Sequence, residues 1–123
     1  MSPDLLLKVK DKLINNFKLT DKQIEDFLDL FSRYKKGQLI YPGAFIRKTY
    51  LPMSVVYKIL EDISSSGVIE RNYEVYCPAC SRYTGGLYKT LKDIPEELAC
   101  EECDAPLNFL DNSLVIYKVV FDK

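Results

Sequence analysis

Four cysteines, Cys77, Cys80, Cys100 and Cys103, stand within "CPACSRYTGGLYKTLKDIPEELACEEC", and the chain has no others. They form two CxxC pairs with 19 residues between them. Each short pair can turn two sulfurs toward one ion, and this spacing is that of a four-cysteine zinc site. Zinc lowers thiol pKa, so all four side chains bind as thiolates and close a tetrahedral shell. Iron shares the preference for tetrahedral sulfur, and spacing alone does not separate the two; zinc is the default occupant. A redox reading requires a surrounding βαβ pattern and has no use for a second pair. A catalytic zinc keeps a place for water and commonly uses histidine, and this chain has no histidine. The expected cofactor is therefore one structural Zn2+.

The elements that must position these thiols are read from patterning. In 123 residues with an ordinary apolar and charged content, a single small domain with an insertion is expected. Ser2 and Pro3 open a first helix, with Leu6, Val9, Leu13 and Phe17 at helical spacing. Thr20 and Gln23 make a capping-box pattern ahead of Ile24, Phe27, Leu28, Phe31 and Tyr34, and Gly37 ends that run. Leu39 to Tyr41 suits a very short strand. Pro42 opens a helix to about Thr49, and Pro52 opens another through Val55, Val56, Ile59, Leu60 and Ile63 that Gly67 closes. Val68 to Tyr76 is extended and β-prone, and Gly85 and Gly86 lie between two β-prone runs, which predicts a hairpin turn there. "SLVIYKVVFDK" is so apolar that it needs a partner, and the nearest candidate is the strand 68–76.

The order from residue 20 to 76, with "SVVYKILEDISSSGVIER" as third helix and first wing strand, resembles a winged helix-turn-helix. The expected class is α+β: N-terminal helices and a winged helix-turn-helix with a four-cysteine zinc ribbon inserted at or after the wing. The division is 1–76 for the helices and winged helix, 77–110 for the ribbon, and 111–123 for a strand returning to 68–76. Winged helix plus ribbon resembles the architecture of general transcription factor E subunits. The chain departs from such ribbons where Ser81 and Asp104 follow the cysteine pairs, positions that often carry glycine. The resemblance implies a non-enzymatic factor working on nucleic acid or on a machine that handles it, a role in transcription regulation. The alternative is a protein–protein adaptor subunit that does not touch DNA directly.

For DNA, Arg47, Lys48, Tyr57, Lys58 and Arg71 are the candidate contacts on the second helix, third helix and wing of that arrangement. Against them, residues 37–76 hold four basic and four acidic side chains, with Glu61 and Asp62 on the third helix itself. The whole chain has 17 Lys and Arg against 18 Asp and Glu, so no basic excess advertises nucleic acid. Asp93, Glu96, Glu97, Glu101, Glu102 and Asp104 crowd a stretch without Lys or Arg and would repel phosphate. A protein partner is expected from that acidic stretch and from Tyr73, Tyr76, Tyr83, Tyr88 and Tyr117, since tyrosine suits interfaces. An enzyme is not expected: no phosphate-binding glycine loop or nucleophile motif is present, and adjacent acids ordinarily solvate a surface. Charges interrupt the apolar positions of "MSPDLLLKVKDKLINNF", so it reads as neither a signal peptide nor a membrane span, and a cytoplasmic, intracellular location is expected.

Overall fold

The computed structural model describes residues 1–80, 84–95, 98–108 and 112–121. The chain is α+β, with four α-helices and antiparallel strands among the described residues, and divides into two compact units: residues 1–70 with 117–123, and residues 71–116. Among the described residues, no helix is long and apolar enough to cross a membrane.

The first unit is helical because its apolar residues recur every three to four positions between strong caps. Helix α1 (Pro3–Asn16) starts with the Ser2 side chain accepting the Leu5 N–H, and proline fills its first turn. Its buried face is Leu5, Val9 and Leu13; Leu6, expected at the core, is only half-buried. One position of rotation about the axis accounts for the difference, because Leu5 and Leu6 both fit the 3.6-residue repeat with Val9 and Leu13. Helix α2 (Asp21–Phe31) has the complete reciprocal box, Thr20 Oγ1 accepting the Gln23 N–H and Gln23 Oε1 accepting the Thr20 N–H. It ends six residues before Gly37, and Tyr34 lies beyond it, with its ring stacked 6.0 Å from that of Phe45.

Helices α3 (Pro42–Thr49) and α4 (Met53–Ser64) follow the short strand β1 (Leu39–Ile40). Between them the buried Thr49 hydroxyl donates to the Phe45 carbonyl and accepts from the Leu51 N–H, which leaves no buried polar group unpaired in the turn. Tyr50 then takes φ +60°, the left-handed region, with its side chain 89% exposed. A glycine usually fills such a helix end because a Cβ costs about 1–2 kcal/mol there. Tyr50→Gly should therefore raise unit stability by about 0.5–1 kcal/mol, once glycine's extra freedom in the unfolded chain is subtracted. The check is a higher urea midpoint with an unchanged slope.

Packing joins α2 to α3, α3 to α4, and α1 to both α2 and α4. Phe27, Phe31 and Phe45 form an aromatic centre that excludes water completely, with Val56, Ile59, Leu60 and Ile63 of α4 equally buried.

Four of the six described strands form one sheet in the order β1–β6–β2–β3, where β2 is Ile69–Tyr76, β3 is Thr84–Tyr88 and β6 is Ser113–Val119. In the first unit Leu39 faces Lys118, Ile40 faces Tyr117, and the Val120 N–H donates to the Val68 carbonyl. In the second, the Tyr76 N–H donates to the Asn112 carbonyl. Tyr117, expected as an interface residue, is instead fully buried; its hydroxyl donates to Glu61 Oε1 at 2.7 Å, which is how a tyrosine is accommodated in a core.

The second unit corrects the glycine reading. Gly85 and Gly86 are inside β3 rather than at a hairpin turn. Glu74 of β2 faces Leu87 and Tyr76 faces Thr84, so the two glycines together stand opposite Val75. This is a β-bulge, and Gly86 supplies its φ of +104°, the conformation that glycine allows. Arg82, Tyr83 and Ser81 lie outside the described residues.

Candidate metal centre

Each cysteine pair lies in a turn at the end of a strand. Cys77 follows β2 directly. The second pair is held in a hairpin made by β4 (Leu98–Ala99) and β5 (Pro106–Leu107), paired Leu98 to Leu107 and Ala99 to Pro106. The Cys100 N–H donates to the Ala105 carbonyl at 2.9 Å, and the Asp104 N–H returns to the Cys100 carbonyl at 2.8 Å. Asp104 has φ +61°, a left-handed conformation that favours glycine. Aspartate is among the residues that tolerate it best, so the turn is kept.

These turns bring all four Sγ atoms within 4.8 Å of one another. Cys77 and Cys103 are 3.6 Å apart, as are Cys80 and Cys100, so each sulfur of one pair has a near neighbour in the other. Four sulfurs about 2.3 Å from a central ion would be separated by about 3.8 Å in a regular tetrahedron. The cluster therefore fits a single tetrahedral metal ion. The Glu102 N–H donates to Cys100 Sγ at 3.3 Å, an outer bond that disperses thiolate charge and orients the ligand.

Electrostatics without an ion oppose the anionic form. Burial pushes the Cys100 thiol above its ordinary value; N–H bonds from Cys103 and Glu102 work against this, and the Cys80 thiol adds to it. At Cys103 the Ala105 N–H lowers the pKa, but loss of hydration and the thiols of Cys100, Cys77 and Cys80 outweigh it and push the value up to about 12. Crowded thiols do not ionise together unless a cation joins them.

Burial grades across the site. Cys77 and Cys100 are buried, Cys80 is half-buried and Cys103 is exposed. Val75, Ile94 and Leu107 complete the buried cluster around the first two, with Tyr73, Tyr88, Leu98 and Ala105 against it. Such a core is small for holding a fold by burial alone, and a metal ion bound by the four thiols would supply stability that it lacks.

The other singled-out residues are dispersed. Arg47 is exposed on α3, with Nη1 3.3 Å from where a Cβ on Gly43 would stand. Lys48 is half-buried and pairs with Asp29 of α2 at 3.1 Å. Tyr57 is half-buried, its ring 6.5 Å from that of Tyr117, and burial raises its pKa. Lys58 is exposed on α4. Arg71, in the second unit, is exposed and donates from Nη1 to the Tyr73 hydroxyl at 3.4 Å. The two acids on α4 are engaged inside the first unit: Glu61 accepts from Tyr117, and Asp62 accepts from Asn16 Nδ2 at 2.9 Å and pairs with Lys12 at 3.6 Å. Sequence reasoning passed over Lys89 and Lys92, which the second unit sets beside Arg71 around one pocket.

No family model matches the chain, and neither a curated protein nor a solved structure does.

Proposed function

We propose that the protein is a non-enzymatic, zinc-binding winged-helix factor that acts on nucleic acid in a regulatory role, with Zn2+ held by Cys77, Cys80, Cys100 and Cys103 of a ribbon. Helices α2, α3 and α4 followed by β2 have the order of a winged helix-turn-helix, and β3 and β6 on either side of β2 suit a wing. One observation carries the nucleic-acid reading. Of the five charged side chains on α3 and α4, only Arg47 and Lys58 belong to exposed residues, and both are basic. The acids that argued against DNA, Glu61 and Asp62, have partners within their own unit, so the outward charge of this helix pair is positive. Positive side chains on such a pair serve phosphate contacts.

Fluorescence anisotropy of the zinc-loaded protein with labelled duplex and single-stranded DNA tests this reading, at low salt and near physiological salt. The expected result is binding that falls steeply with salt and weakens in Arg47→Ala and Lys58→Ala. Absence of binding at low salt would reject it and favour the adaptor reading. The observation behind that second reading is the outer side of α1, where Leu7 and Ile14, one heptad apart, are 59% and 52% exposed. Apolar residues so placed suit a helical protein partner.

A further inference from the structure

The second unit carries a pocket of about 520 Å³ lined by Arg71, Tyr73, Lys89, Thr90, Leu91 and Lys92. Its construction follows from strand register. Arg71 and Tyr73 are two residues apart on β2, so they project from one side of the strand, and Tyr73 faces Tyr88 on β3. The chain leaves β3 at Tyr88, passes through Lys89 and Thr90, and turns in a short 3-10 segment, Leu91–Asp93, that sets Lys92 at the rim. Three cations are thus collected from positions 71, 89 and 92, and among the described residues no carboxylate lines the pocket. Among the described residues, neither Lys89 nor Lys92 has an ion-pair partner, although Asp93 follows directly in sequence. Lys89, Leu91 and Lys92 are exposed, and Tyr73 is half-buried.

We infer that this pocket binds a single-stranded segment of nucleic acid, with Arg71, Lys89 and Lys92 meeting phosphates and Tyr73 and Leu91 offering apolar surface to an unpaired base. The charge complement selects a polyanion. The ring and aliphatic side chain between the cations select one whose anionic groups alternate with flat apolar groups, which nucleic acid has and an acidic peptide lacks. A duplex covers the flat faces of its bases by stacking and presents only their edges in its grooves, so the apolar part of the pocket serves a single strand. This inference rests on the nucleic-acid reading given above and adds to the helix-pair contact a second one in the second unit.

The test is anisotropy of the zinc-loaded chain with a labelled oligothymidylate, a duplex of matched length and a labelled polyglutamate. Lys89→Glu with Lys92→Glu is the main variant, and Lys89→Arg with Lys92→Arg is the charge-conserving control. Oligothymidylate should bind more tightly than duplex, the charge reversal should weaken it at least about ten-fold, and the arginine pair should bind as the parent does. The slope of log affinity against log salt should be shallower by about 1.4 in the reversed variant, since each single-strand phosphate contact contributes about 0.7. Metal content measured alongside should stay at one ion per chain, which separates loss of the contact from loss of the fold. If the reversed variant binds unchanged while Arg47→Ala and Lys58→Ala lose affinity, the pocket assignment fails and the helix reading stands. If no oligonucleotide binds, both fail. Equal affinity for duplex overturns the single-strand choice, and preference for polyglutamate overturns nucleic acid in favour of an acidic protein partner.

Discussion

Cys100→Ser should lower bound metal from one ion per chain to less than about 0.2 and loosen residues 71–116, while the helices of residues 1–70 keep their far-ultraviolet signal. Serine leaves a harder oxygen that does not ionise at neutral pH, and the tetrahedron loses one of its two buried corners. The small cluster of Val75, Ile94 and Leu107 remains, but structural zinc contributes about 10–16 kcal/mol in comparable small sites, far more than three apolar side chains can replace. Metal analysis and circular dichroism read the two halves of the result separately. Full metal content in this variant would show that Cys100 is no ligand.

The same centre has a pH dependence of definite sign. Without metal, the raised pKa values of Cys100 and Cys103 keep their protons on through neutral pH, so binding must expel protons. Affinity therefore falls as pH falls, by about two decades per unit from these two thiols alone. The metal-free fold responds the other way. A thiol whose pKa is raised on folding favours the folded form fully below its ordinary 9.0, and that contribution is lost as pH climbs toward about 12. Alkali should thus strengthen the metal-bound form and weaken the metal-free form, and chelator competition beside thermal melts of the metal-free chain separates these trends.

Phe27→Ala should cost the first unit about 3–5 kcal/mol. Phe27 is completely buried, its ring centroid 4.5 Å from that of Phe45 and 6.0 Å from that of Phe31, so truncation removes its own burial and unsupports two neighbours. Domains have only about 5–15 kcal/mol in total, so this single change takes a large share. For a unit of this size the melting temperature should fall by at least about 12 °C. Phe27→Leu, which fills most of the space, should lose much less; equal losses from the two variants would mean that the packing of the ring, and not its apolar volume, carries the stabilisation.

Local chemistry made several elements legible. Pro42 and Thr49 bound α3 as read, the Thr20–Gln23 box closes as read, and the cysteine spacing anticipates a cluster that fits one ion. The features that escaped depend on pairing between distant segments. Gly85 and Gly86 look like a turn in isolation because a bulge is defined by the partner strand, and only the register against Glu74 and Tyr76 shows two residues opposing one. Tyr117 looks like a surface tyrosine until Glu61, 56 residues away, receives its hydroxyl. Lys89 and Lys92 are ordinary lysines in the sequence and acquire meaning from Arg71, which the β2–β3 pairing brings to the same pocket. A one-dimensional pattern records caps and periodicity, whereas a cross-strand neighbour is set by register.

The place of β6 between β1 and β2 constrains the order of assembly. The helices α1 to α4 can gather as they are synthesised, because their contacts with one another all fall within residues 3–64. Strand β1 has no neighbour until residues 113–119 have emerged, more than seventy residues after it. During translation Leu39 and Ile40 therefore wait as an unpaired edge, and the closing of a long loop by β6 is the slow, high-contact-order event. A chain lacking residues 113–119 would hold the helices beside an incomplete sheet, with β1 left as an exposed edge.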